Sequence, residues 1–301
     1  MLIPEVSADR LDGTEPPKFV PPTYTMKDIH AAVPSHRFEP NTLLSLAYVL
    51  RDISFVLTLS FLATYISSIP NPYLRLLAWA TYCFCQGLVF TGLWELAHEC
   101  GHGALSKHKS FNNYVGLMIH SFLLVPYHSW RFTHQTHHKS TNNLARDIAF
   151  VPVVKEEYLT AQAANPFSAL PFWNLIEDTP VVALVTLFFH QLIAFPIYLT
   201  LNNFALERMR KAVWWKRSHF YFGGDGPNFR PWQSTEILIS DLGIAVALGV
   251  LWASVRWAGV WNVVCWYGVP YLWVNHWICT LRSLLTYHPK TATLSHILLT
   301  G

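Results

Sequence analysis

The chain has 301 residues, of which 52% are apolar and 15% aromatic, including 13 tryptophans, while only 13% are charged and the net charge is +3. This is the profile of a polytopic all-α membrane protein rather than a soluble domain. It excludes a nucleic-acid partner, since the charge is small and no basic stripe is interleaved with stacking aromatics.

Residues 1–40 form a polar arm with prolines at 4, 16, 17, 21, 22, 34 and 40. No apolar core follows a charged start, so no cleaved signal peptide is expected and insertion falls to the first membrane helix. His30 and His36 in this arm read as surface residues. The apolar stretch 53–69 then leads through Pro70-Asn71-Pro72 into a second stretch, 74–97, predicting a helical hairpin across the membrane. Cys83-Phe-Cys85 lies within it and reads as small packing residues. Four of the five cysteines sit in apolar segments and Cys100 lies between two histidines, so no disulfide framework is expected.

The second helix runs directly into His98-Glu-Cys-Gly-His102. On a helix, an i, i+4 pair puts two imidazoles on one face, one turn apart, which is how a helix offers two nitrogens to one metal. Glu99 gives this cluster a likeness to the zinc-protease pattern, in which a glutamate also follows the first histidine. A protease site would leave unused the second cluster, His134-Gln-Thr-His137-His138, which repeats the spacing with one more ring. Five histidines at helical spacings within about forty residues point to a shared metal centre. The intervening stretch 114–126 is too short to cross a bilayer core of about 30 Å, so it reads as interfacial and keeps both clusters on one side. His120 within it reads as structural, and His128 is not expected to be a ligand. Glu95 and Asp147 are the carboxylates nearest the clusters, candidates to accept a hydrogen bond from the far nitrogen of a ligating ring. Ion pairs with Arg146 or Arg131 are the alternative for them.

Segment 181–201 is apolar and of spanning length, yet the stretches on either side, 98–180 and 202–237, each carry six Lys or Arg. The positive-inside rule puts both in the cytosol with the N-terminal arm, so 181–201 is read as re-entrant or interfacial. Segments 237–257 and 260–279, broken at Gly259, form a second spanning hairpin rich in Trp and Tyr. Four membrane helices in two hairpins, beneath a histidine-rich cytosolic cap, are the expected architecture. Residues 41–279 form the main domain, and 280–301 a divergent tail.

The run Glu95-Leu-Ala-His98-Glu-Cys-Gly-His102, then His120-Ser-Phe-Leu-Leu-Val-Pro126-Tyr, Ser129-Trp130, His134 to His138, Arg146-Asp147 and Phe150-Val-Pro152, resembles the membrane fatty-acid desaturases. The likeness is greatest to the delta-12 (oleate) and omega-3 type, and it extends over about 19–277. It implies two irons held by histidine boxes, with His98, His102, His134, His137 and His138 as ligands. It also implies dioxygen as co-substrate, electrons from cytochrome b5, an acyl chain carried on a lipid or coenzyme A, and a place in the endoplasmic reticulum membrane with the boxes cytosolic. Association with further desaturase chains is compatible with it.

The family carries a third box, of His-x-x-His-His type, that is not found here. Past Trp277 only His288 and His296 occur, and His276, inside an aromatic membrane segment, reads as structural. Five ligands are too few for two irons, so the chain as written is expected to be truncated and inactive. An acyl hydroxylase or acetylenase on the same scaffold, or a non-catalytic partner of a complete desaturase, are the alternative readings.

Overall fold

The structure, a computed structural model, describes residues 23–141, 143, 145–149, 160, 179–202 and 207–286. Every regular element among them is helical. The chain divides into two units, residues 1–39 and 40–301.

In the first unit α1 (Met26–Ala32) starts at a capping box: the Asp28 backbone N–H donates to Thr25 Oγ1, and the Asp28 carboxylate accepts the Thr25 N–H at 2.7 Å. His30 stacks on Phe38 at 5.4 Å, and His30 and His36 are both exposed, as expected for a polar arm.

In the second unit α2 spans Thr42–Ala63, capped by Asn41, whose side chain accepts the Leu44 N–H at 3.1 Å. It begins well before the expected residue 53, because Arg51 and Asp52 interrupt the hydropathy without interrupting the helix. The two side chains pair at 2.8 Å, with Asp52 buried against Gly92. After the Pro70-Asn71-Pro72 turn, Asn71 caps α3 (Pro72–His102), accepting N–H bonds from Tyr73 and Leu74. At 31 residues α3 is about 46 Å long, so a bilayer core of about 30 Å leaves about three turns standing beyond it. Those turns carry His98 and His102. Gly103 ends the helix at φ +78°, a left-handed conformation that glycine adopts without a Cβ clash.

Helices α4 (Lys109–Phe122) and α5 (Tyr127–Ser140) follow. At 14 residues and with one buried face, α4 fits the interfacial reading. Next come α6 (Pro180–Leu201) and α7 (Ser234–Ala258). Gly259, at φ +87°, turns the chain into Val260–Val263, a π-helical turn Val264–Gly268, and α8 (Val269–Thr286). Helix α3 is the axis of the bundle, packing against α2, α4, α5 and α8, while α6 lies on α8 and α7 on α4 and α5.

Among the described residues, four helical stretches are long and apolar enough to cross a membrane: Thr42–Ser68, Pro72–His102, Pro180–Leu201 and Pro231–Ala258. By length and composition the set includes residues 180–201, the segment read from the charge pattern as re-entrant or interfacial. Residues 180–201 form one unbroken helix through Pro196 and qualify by length and composition, whereas the 260–279 stretch is absent from the set. There, the π turn and the polar residues Asn262, Asn275 and His276 lower the hydropathy. Where α3 and α8 cross, a Cβ on Gly87 would fall 2.3 Å from that of Trp273, so the missing side chain sets the distance between the two helices. The core gathers Phe90, Trp94, Tyr127, Trp130, Phe195 and Leu199 at the histidine end of α3.

Candidate metal centre

The C-terminal turns of α3 and the middle of α5 meet with their histidines face to face. His98, His102, His134 and His138 each offer a ring nitrogen, and these four atoms all lie within 4.8 Å of one another. The Nε2 of His134 is 3.2 Å from that of His102 and 3.0 Å from that of His138. Metal–imidazole bonds of about 2.1 Å place neighbouring ligand nitrogens about 3.0–3.5 Å apart, so the spacing is that of one coordination polyhedron. The donor set, four imidazoles and no carboxylate, suits iron, zinc, copper or nickel. His98 and His134 are partly buried while His102 and His138 are exposed, so the centre opens on one side.

The ring of His137 is turned away from this group. Its centre lies 6.4 Å from that of His134, and its Nδ1 meets both oxygens of Asp147 at 2.8 and 2.9 Å. Asp147 is buried and also accepts the Ala149 N–H at 3.0 Å. The contact fixes the proton on Nδ1 and leaves Nε2 as the free donor atom. Asp147 thus lies against one of the five clustered histidines. For the first cluster the carboxylate in contact is Glu99, whose Oε1 lies 3.1 Å from His98 Nδ1, whereas Glu95 makes no hydrogen bond to a histidine among the described residues. Arg131 pairs with Glu236 at 2.8 Å and bonds Asn113 at 2.7 Å, tying α5 to α7 and α4.

Indoles lie beneath the imidazoles. Trp94 stacks on His98 and Trp130 on His134, and Phe195 from α6 closes the layer against Trp94. Burial under this layer, followed by the neighbouring histidines, pushes the His134 pKa down to about 2. The ring is therefore neutral, as a metal ligand must be.

The remaining histidines stand apart. His120 is sealed under Trp94 and Trp130, its pKa lowered to about 3 by burial. His128 faces α7, its backbone N–H bonded to Ser240. His276 lies between Trp273 and Trp277. His288, His296 and the stretch 150–152 fall outside the described residues. The five cysteines form no disulfide, and Cys83 and Cys85 are spaced along the face and flank of α3 as packing residues.

One buried histidine, His219, escaped the sequence reading. Its Nε2 is 3.1 Å from the hydroxyl of Thr133, the residue before His134. No partner at helical spacing marks it, and nothing in its own stretch signals the contact.

Apolar helices that carry, at one end, four imidazoles over an aromatic floor define an integral membrane protein with a metal-competent histidine cluster. The family model described as fatty acid desaturase matches residues 75–296, continuing past Trp277, and the chain belongs to that family. It is similar to a delta(12) fatty acid desaturase of Mortierella alpina, 38% identical over 273 residues that make up 89% of this chain and 66% of that protein. It is equally similar to an oleate hydroxylase of Claviceps purpurea, 38% identical over 88% of this chain and 58% of that protein. A delta(12)-fatty-acid desaturase of Arabidopsis thaliana is 33% identical over 96% of the chain and 71% of its own length. The chain thus spans 58–71% of the length of these relatives.

Proposed function

We propose that the protein acts in unsaturated fatty acid biosynthesis as an O2-dependent desaturase that introduces a cis double bond, at the delta-12 position, into a lipid-linked acyl chain. The observation that carries this reading is the convergence of His98, His102, His134 and His138 at the end of an apolar helix bundle. Bound iron would supply the oxidant that no side chain provides for breaking an unactivated C–H bond. The four histidines would hold one iron, and His137, turned away from them, would offer its Nε2 to the second. Asp147 and Glu99 keep the protons of His137 and His98 on Nδ1, so that Nε2 points outward as a lone pair. Trp94 and Trp130, both buried, exclude water from beneath the rings.

The delta-12 position and the acyl-lipid substrate rest on the names of the relatives. Cytochrome b5 as electron donor, the endoplasmic reticulum as location and a cytosolic orientation of the centre are parts of the same reading, in keeping with the basic stretch after residue 201 and the positive-inside rule. Fatty-acid profiling of a host that makes oleate but no linoleate, carrying the gene for this protein, tests it. The family match past Trp277, to residue 296, favours an active protein over the inactive chain expected from the missing third box, and linoleate that disappears on His134→Ala is the expected result. A hydroxylated oleate would instead favour the activity named for the Claviceps relative, and palmitoleate without linoleate would overturn the position. Zinc without iron in the purified protein would return the first cluster to the protease pattern.

A further inference from the structure

His219 is fully buried and joins two stretches that are far apart in sequence. Its backbone N–H donates to the Leu199 carbonyl at 2.9 Å, and its ring Nδ1 lies 3.2 Å from the same oxygen. A carbonyl oxygen only accepts, so Nδ1 carries the ring proton. Burial keeps the ring neutral, with its pKa lowered to about 4, so Nε2 is an acceptor facing the Thr133 hydroxyl at 3.1 Å. The hydroxyl also lies within hydrogen-bond distance of two carbonyls of its own helix, Trp130 at 3.0 Å and Ser129 at 3.3 Å. With the ring proton on Nδ1, His219 Nε2 is the acceptor that ties this hydroxyl to another stretch of the chain. Tyr198 packs its ring 4.7 Å from the imidazole and brings its hydroxyl to 3.5 Å from Thr133 Oγ1. The end of α6, the stretch after it and the middle of α5 are held together at this one side chain.

We propose that His219 is a positioning residue for the metal centre: by tying Thr133 to Leu199 it fixes the rotation of α5 about its axis, and with it the direction in which His134 and His138 present their nitrogens. This rests on reading the converged histidines as metal ligands. Ring nitrogens stand about 5–6 Å from a helix axis, so a rotation of about 10° moves them by about 1 Å. Coordination distances tolerate only about 0.2 Å. Arg131 anchors the opposite side of α5 to α7, and without the bond to His219 the helix would pivot on that anchor.

The test uses the detergent-purified full chain, titrated with iron(II) against a competing chelator and with cobalt(II), whose visible spectrum reports coordination geometry. His219→Phe keeps a flat aromatic ring, somewhat larger than the imidazole, and removes both ring hydrogen bonds. Thr133→Val removes the hydroxyl at constant shape, and Thr133→Ser restores it. Affinity should fall about 10–100-fold in His219→Phe and in Thr133→Val, with an altered cobalt spectrum. The double variant should be no worse than either single one, and Thr133→Ser should bind near the wild-type level. Wild-type affinity and spectrum in His219→Phe, with only the melting temperature lowered, would make His219 a packing residue and overturn the proposal. So would equal affinity in Thr133→Val and Thr133→Ser, a comparison that stands even if His219→Phe does not fold. An unsubstituted chain that binds no metal would remove the metal reading itself, whereas tight binding with unaffected variants would remove only the role of His219.

Discussion

The indole of Trp130 lies nearly parallel to the imidazole of His134 one helical turn further on, with ring centres 4.4 Å apart and planes 19° from parallel. Trp94 stands in the same relation to His98 on α3, at 5.5 Å and 29°, and the two indoles meet each other at 5.7 Å. The first histidine of each cluster thus rests on a tryptophan four residues before it. The tryptophans join the two helices into one floor, so the position of either cluster depends on both.

Trp130→Ala should therefore damage more than packing. Removing a buried indole costs about 3–5 kcal/mol of stability. In the fraction that stays folded, metal affinity should fall as well, because His134 loses the surface that sets its ring plane. Trp130→Phe keeps an aromatic face and should retain most of the affinity. Chemical denaturation and iron titration on the same samples separate the two effects, and equal affinities for the Ala and Phe variants would speak against a role in orienting the ring.

Asp147→Asn should weaken iron binding by about 10–100-fold with little change in fold. The amide keeps the shape of the carboxylate but not the charge that holds the His137 proton on Nδ1. Glu99→Gln should do less, since its carboxylate is half exposed and water can replace it. A chelator competition on the three proteins gives the order directly.

Acid should unfold the protein from below neutrality. His120 and His219 are fully buried, and burial lowers their folded pKa values to about 3 and about 4, against about 6.5 when unfolded. The unfolded chain then binds more protons, so stability is complete above about pH 6.5 and is lost progressively as the pH falls toward the folded values. At pH 5 each ring should cost about 2 kcal/mol. Melting curves at pH 7 and pH 5 check this, and His219→Phe should remove one ring's share of the dependence.

Gly87→Ala should separate α3 from α8. The new methyl would lie 2.3 Å from Trp273 Cβ and 3.2 Å from the Pro270 carbonyl, in a crossing where backbone as well as side chain must shift. A loss of about 1–3 kcal/mol is expected, read as a lower melting temperature. Gly249, which has open space around it, is the control: Gly249→Ala should be neutral or slightly stabilising.

Much of this protein is written in short-range pattern. The i, i+4 spacing of His98 with His102 and of His134 with His138 is local, and a helix turns it into a shared face wherever that helix packs. The hairpin at Pro70-Asn71-Pro72 and the break at Gly259 are local too, since proline, asparagine and glycine act on their own backbone. Hydropathy found the apolar helices but misplaced the start of α2, because an Arg51–Asp52 pair, with the carboxylate buried and the guanidinium exposed, reads as polar surface in sequence. In the 260–279 stretch a π turn and scattered polar residues lower the average hydropathy but do not end the helix. Tertiary packing alone decided which of the five histidines face one another, turning His137 toward Asp147 and giving His98 to Glu99 rather than Glu95. It also brought His219 to Thr133 across 86 residues, a contact with no trace in spacing or composition. Local chemistry fixes which side chains share a helix face; which faces meet is fixed only when α3, α5 and α6 bury their aromatics against one another.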